Sequence, residues 1–155
     1  MKIFIAGDHR GVELKKEIKT FVEELGHTVV DLGANDSDKP CDYPPLAYKV
    51  ATSVAKQRSA RGILLCMTGI GIAIAANKVP GAYAALCYNT EVAHLSRQHN
   101  NSNILVLGAK FVSKEEMREI ISIWLEEKFE GGRHARRIRK IKDIEKKFMK
   151  LEGKM

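Results

Sequence analysis

Gly62-Ile63-Leu64-Leu65-Cys66-Met67-Thr68-Gly69-Ile70-Gly71, running on from Ile72 to Asn77, is the stretch on which the fold turns. An unbroken apolar run ending in a cysteine reads as a strand buried on both faces. The Gly-x-Gly after it reads as a tight turn, and the Ile/Ala-rich residues beyond start a helix. The same unit recurs on either side. Lys2–Ala6, His27–Leu32, Ala82–Cys87 and Asn103–Leu107 have strand character. Val12–Leu25, Leu46–Ser59, Thr90–Gln98 and Lys114–Glu127 carry apolar residues at helical spacing, and Gly26 stands where a helix terminator belongs. Gly33–Pro45, rich in Asn, Asp, Ser and Pro, reads as a loop. Apolar strands alternating with helices predict an α/β fold, a parallel sheet covered on both faces.

At 155 residues the chain suits one domain, and its 45% hydrophobic and 29% charged residues exclude global disorder. No apolar run approaches the ~20 residues of a membrane helix. Charge follows the N-terminal strand too soon for a signal-peptide core, so a cytoplasmic location is expected. The net charge of +7 is local: between Arg133 and Lys150 stand nine Lys/Arg against Asp143 and Glu145. That points to an anion site or an acidic partner rather than to general nucleic-acid affinity. Cys41, Cys66 and Cys87 form no CxxC pair, so neither a disulfide framework nor a zinc site is expected. Beyond Gly131-Gly132, a basic segment repeats Ile138, Ile141, Ile144, Phe148 and Leu151 at three- and four-residue spacing. The domain is thus divided into a core, residues 1–132, and an amphipathic arm, residues 133–155, whose apolar stripe suits a neighbouring subunit.

In open parallel sheets, ligands bind beyond the carboxyl ends of the strands. The polar clusters are expected at that edge: Gly7–Gly11 after the first strand, Cys66–Gly71 after the third, and His99–Asn101 beside the fifth, which runs out at Gly108–Lys110. The Cys66 turn is the most informative of them. Two glycines let its N–H groups face inward as an anion nest, where a thiol should ionise more readily than a free one. Taken alone, Cys66 reads more readily as a strand-end packing residue. His9 and His99 are equally plain as surface or cap residues, and Asp8 as a helix cap. Arg133 and Arg137 are four apart, so one phosphate can meet both guanidiniums on a helix.

Six blocks occur in one order: Gly7-Asp8-His9; Asp42-Tyr43-Pro44; Cys66-x-Thr68-Gly69-x-Gly71; Ser96-Arg97-x-His99-Asn100; Asn103-Ile104-Leu105; and Phe129-x-Gly131-Gly132-Arg133-His134-x-x-Arg137-Ile138. From Lys2 to about Ile141 the chain resembles the family of ribose-5-phosphate isomerase B, galactose-6-phosphate isomerase subunits and allose-6-phosphate isomerase. The resemblance implies a Rossmann-like three-layer α/β/α sandwich with a five-stranded parallel sheet. It implies a homodimer, sometimes paired into a tetramer, with the active site near the subunit interface. It also implies interconversion of ribose 5-phosphate and ribulose 5-phosphate with no metal or other cofactor.

Under that resemblance Cys66 is the base that moves a proton between C2 and C1, and His99 assists opening of the sugar ring. Asp8 and Thr68 position sugar oxygens, and Tyr43 lines the site. His9, Arg133 and Arg137 hold the phosphate, with arginines donated by the partner. The amides of Met67, Gly69, Ile70 and Gly71, with Asn100, cradle the enediolate. Two residues depart from the family pattern: Met67 stands where glycine is usual, and Lys110, counted among the phosphate-binding residues, stands where an arginine commonly follows the fifth strand, keeping the charge without the bidentate fork. Isomerisation of a six-carbon sugar phosphate is the alternative within enzymes. A phosphate- or nucleic-acid-binding module built on the arm is the alternative outside them, though Phe148 is the arm's only aromatic for base stacking.

Overall fold

Along each central strand, successive side chains enter opposite layers, and both layers are apolar. The computed structural model describes residues 1–152. Its strands are β1 (Lys2–Gly7), β2 (Thr28–Asp31), β3 (Arg61–Cys66), β4 (Ala84–Leu86) and β5 (Ile104–Gly108). Its helices are α1 (Val12–Glu24), α2 (Tyr43–Lys56), α3 (Ile70–Ala76), α4 (Thr90–Gln98), α5 (Lys114–Glu126) and α6 (Gly132–Glu152), with a 3-10 turn at His9–Gly11. All strand pairs are parallel, in the order β2-β1-β3-β5-β4.

Ile3, Ile5, Ile63, Leu65, Leu105 and Leu107 face the layer of α1, α4 and α5, where the fully buried Trp124 is the largest side chain. Phe4, Ala6, Leu64, Cys66, Ile104 and Val106 face α2 and α3. Burying one such Leu or Ile stabilises the fold by ~1.5–3 kcal/mol. The result is the three-layer α/β/α sandwich with its five-stranded parallel sheet.

Element edges differ from the sequence reading in informative ways. The loop ends at Asp42, and α2 starts at Tyr43 rather than Leu46, with Pro44 and Pro45 inside its first turn. Proline is tolerated there because first-turn N–H groups have no intrahelical acceptor. α3 starts at Ile70, two residues early, because Gly69 already provides the left-handed entry. β4 is only three residues long, an edge strand tied to β5 alone.

Lys15 lies inside the otherwise apolar face of α1 and is 1% exposed. It pairs with Asp31 at 2.7 Å and donates to the Ala34 carbonyl and Asn35 Oδ1. One buried ammonium thereby fastens the start of the β2–α2 loop.

The chain leaves β1 for β2 on one side and returns to β3 on the other. The carboxyl ends of β1 and β3 therefore form the point where strand order reverses, and the register sets Gly7 beside Leu65 and Cys66 beside Gly108.

Candidate active site

Cys66 ends β3 and is 5% exposed. The chain then turns through Gly69, at φ +79°, and the Gly69 N–H donates to Cys66 Sγ at 3.2 Å. A Cβ at Gly69 would stand 2.5 Å from Leu86 Cδ1 and 3.2 Å from the Gly108 nitrogen, so conformation and space both require glycine. The end of β5 pins the turn from behind: Ala109 N–H donates to the Cys66 carbonyl and Lys110 N–H to the Met67 carbonyl. Ile70 N–H donates to Thr68 Oγ1 at 3.2 Å, which leaves the Thr68 O–H free to donate outward. Met67 has no positive φ and carries no backbone strain where the family pattern has glycine. Its side chain projects to the surface, 37% exposed, and Arg10 Nη1 lies 2.9 Å from its Sδ.

The turn after β1 comes alongside. Asp8 is buried, donates its N–H to the Leu65 carbonyl and accepts the Arg10 N–H on Oδ1 at 3.1 Å. His9 Nδ1 accepts the Cys41 N–H at 3.2 Å, so a neutral His9 ring carries its proton on Nε2, ready to donate. Tyr43 reaches the same place from the start of α2: a Cβ on Gly71 would fall 2.5 Å from its Cζ and Oη. Lys110 is exposed at this edge, its Nζ 5.9 Å from the centroid of the Phe111 ring. Asp8, His9, Tyr43, Lys110, Cys66, Met67, Thr68, Gly69, Ile70 and Gly71 thus meet at one end of the sheet.

His99, Asn100, Arg133 and Arg137 do not join them, contrary to the expectation that every polar cluster shares one edge. α4 runs back from the carboxyl end of β4, so His99, its C-cap, arrives at the amino end of β5. From Ile104 to Gly108 the sheet rises about 13 Å, at ~3.3 Å per residue. That length separates His99 from Cys66 within the protomer. His99 stacks face to face on His134, centroids 4.1 Å apart and planes 9° apart. Arg133 Nε lies 3.3 Å from His134 Nε2, and Arg133 and Arg137 are exposed on the first turns of α6. Burial lowers the pKa of His134 below 6.5, and the neighbouring charges of His99, Arg133 and Arg137 act the same way against Glu130.

His99, Glu130 and His134 bring ligand atoms within 4.8 Å of one another. The stacked rings fit a shared ion poorly. Each ring's lone pair lies in its own plane, so an ion ~2.1 Å from one nitrogen stands well out of the other ring's plane.

A cavity of about 890 Å³ is also remote from Cys66. It is an apolar groove between α6 and the β4 side of the sandwich, lined by Ile138, Ile141, Ile144, Phe148, Tyr83 and Ala84, with Asn100 at its border. Ile138 is buried, whereas Ile144 and Phe148 are more than half exposed; the side chain of Leu151 and residues 153–155 of the arm lie outside the described residues. Glu145 fastens the arm by accepting from the Gly81 N–H and the Tyr83 hydroxyl. Burial, then Glu145, push the Tyr83 pKa up to about 12. Of the other thiols, Cys41 is half-buried, and burial raises Cys87 to about 11, so Cys87 stays protonated.

Arg10, Lys15 and His134 have structural parts to which no role was given from the sequence. A lysine inside the apolar face of α1 was a readable signal for Lys15. Nothing local marked the contact of Arg10 with Met67.

A doubly wound parallel sheet holding a thiol against a backbone N–H at its switch point is the architecture of an α/β enzyme acting on small molecules. The chain belongs to the Ribose/Galactose Isomerase family, whose profile matches residues 3–141. It is 43% identical to ribose-5-phosphate isomerase B of Escherichia coli (strain K12), covering 94% of this chain and 97% of that one. It is 39% identical to D-erythrulose-4-phosphate isomerase of Pectobacterium atrosepticum, over 91% of this chain and 93% of that one. Among solved structures, ribose-5-phosphate isomerase B of Clostridium thermocellum superposes with a TM-score of 0.91 at 48% identity, covering 96% and 99% of the two chains. The Mycoplasma genitalium enzyme with bound ribulose-5-phosphate superposes with a TM-score of 0.90 at 47% identity, covering 94% and 96%.

Proposed function

We propose that this protein interconverts ribose 5-phosphate and ribulose 5-phosphate in the cytoplasm, by proton transfer through an enediolate, as a homodimer with composite active sites. The observation that carries the reading is the seat of Cys66 Sγ, on the Gly69 N–H at the mouth of the β1/β3 crevice. A proton on carbon beside a carbonyl is weakly acidic. Its removal needs a positioned base and N–H donors for the oxygen charge that develops. The Cys66 thiolate takes the C2 proton of the open-chain aldose. The electron pair moves to the carbonyl oxygen, giving the enediolate; the O2 hydroxyl proton passes to O1, and the thiol returns its proton to C1 as the ketone forms at C2. Thr68 O–H, Asp8 and the turn amides hold the sugar oxygens, Tyr43 lines the pocket, and His9 Nε2–H donates to the phosphate.

The remaining groups come from the partner subunit. His99, Asn100, Arg133 and Arg137 lie a strand's length from the thiol of their own chain. The groove bordered by Asn100 and the exposed face of α6 supplies apolar surface for a second copy. The partner subunit's His99 then opens the sugar ring, and the partner's Arg133 and Arg137 grip the phosphate.

A substrate panel of D-erythrulose 4-phosphate, ribose 5-phosphate and allose 6-phosphate, assayed with and without chelator, tests the reading. It expects the highest kcat/KM on ribose 5-phosphate, insensitive to chelation, and its loss in Cys66→Ala. Turnover that needs added metal, or that survives in Cys66→Ala, contradicts it.

A further inference from the structure

Arg10 is a cation on the carboxyl edge whose position none of the foregoing roles uses. Its backbone is fixed by the 3-10 turn and by the N–H donated to Asp8 Oδ1. Its side chain crosses from the turn after β1 to the turn after β3, where Nη1 meets the Met67 sulfur at 2.9 Å. A thioether is a weak acceptor, so this contact places the guanidinium while leaving its other donors uncommitted. Among the described residues Arg10 has no carboxylate partner. It directly follows His9, whose free Nε2–H donates at the same rim, and it rests on the residue next to Cys66. The ammonium of Lys110, the neighbouring cation, lies over the Phe111 ring instead. An uncommitted fork of N–H donors between a donor histidine and the thiol turn matches a phosphate dianion in geometry and in charge.

We propose that Arg10, seated on the Met67 thioether, is a further substrate-binding residue that takes the phosphate of the sugar phosphate together with His9. Met67 is its positioning residue: the side chain standing where the family pattern has glycine supplies the surface on which the guanidinium rests. The assignment rests on the sugar-phosphate reading of the site.

Steady-state kinetics on ribose 5-phosphate, and calorimetric titration with inorganic phosphate, of wild type, Arg10→Ala, Arg10→Lys, Met67→Ala and the double variant Arg10→Ala/Met67→Ala test it. Arg10→Ala is expected to raise KM and the phosphate Kd together, by about tenfold, or about 1.4 kcal/mol, with kcat within about twofold. Arg10→Lys recovers part of the loss. Met67→Ala raises both constants by a smaller factor, and the double variant is no worse than Arg10→Ala, because Met67 acts through Arg10. An unchanged phosphate Kd in Arg10→Ala overturns the assignment, whether or not kcat falls. Equal losses from Met67→Ala in the presence and absence of Arg10 overturn the seat. A wild type that binds phosphate yet turns over no sugar phosphate sinks the functional reading instead, and the phosphate titrations still decide Arg10.

Discussion

Mixing two inactive variants should restore activity, if the active site is shared between subunits. Cys66→Ala removes the proposed base, and His99→Ala the proposed ring-opening group at the other edge of the sheet, with the ~13 Å rise of β5 between the two edges. In a heterodimer of the two, one site combines both substitutions and is dead. The other combines the intact Cys66 of the His99→Ala chain with the intact His99 of the Cys66→Ala chain. Random reassociation of equal amounts makes about half of the dimers mixed, each with one working site of two, so the mixture should reach about one quarter of wild-type activity. The variants are mixed in mild denaturant, dialysed together, and assayed against each parent treated alone. Mass spectrometry of the intact dimers confirms the exchange. Activity no greater than the mean of the two parents, with mixed dimers present, refutes the shared site. His99 would then have to serve the thiol of its own chain, across the length of β5.

Gly69→Ala should lower kcat by ~10²-fold, the scale of losing one preorganised donor, because its Cβ would drive the turn off Leu86 and Gly108 and carry the N–H away from Cys66 Sγ. The positive φ alone costs ~1–2 kcal/mol with alanine, readable as a lower urea midpoint. Lys15→Met should destabilise the chain by ~1–3 kcal/mol, by stranding Asp31 and the Ala34 carbonyl. It should also raise KM, through the loop whose Cys41 N–H orients His9; an unchanged KM would show that the loop holds its place without the clamp. His134 titrates below its ordinary value in the fold, so the unfolded chain takes that proton first. The stability linked to it is therefore complete well above pH 6.5 and declines as pH falls below it, and His134→Gln should flatten that part of the denaturation profile. An identical profile in the variant would assign the acid sensitivity to other groups.

Alternation, helical spacing and turn chemistry are properties of neighbouring residues, so the order of strands and helices was legible in the sequence. So was the Cys66 turn, because a strand, two glycines and a helix start are contiguous. Helix starts were less so: Pro44 and Pro45 look like loop residues until the missing N–H of a first turn is counted. A buried lysine was visible as an anomaly in the stripe of α1, but Asp31, Ala34 and Asn35 as its acceptors were not.

The edge on which a residue falls depends on the direction in which its element crosses the sheet. His99 follows a helix that returns to the amino end of β5, so it parts from Cys66, although one family resemblance, through separate sequence blocks, named both. The stacking of His134 on His99 and the reach of Arg10 to Met67 are likewise decisions of the tertiary structure. Local sequence determines backbone preference and burial face. Only the folded path fixes which distant side chains share a few ångströms, and here it divides the matched residues between two edges that a single subunit cannot bring together.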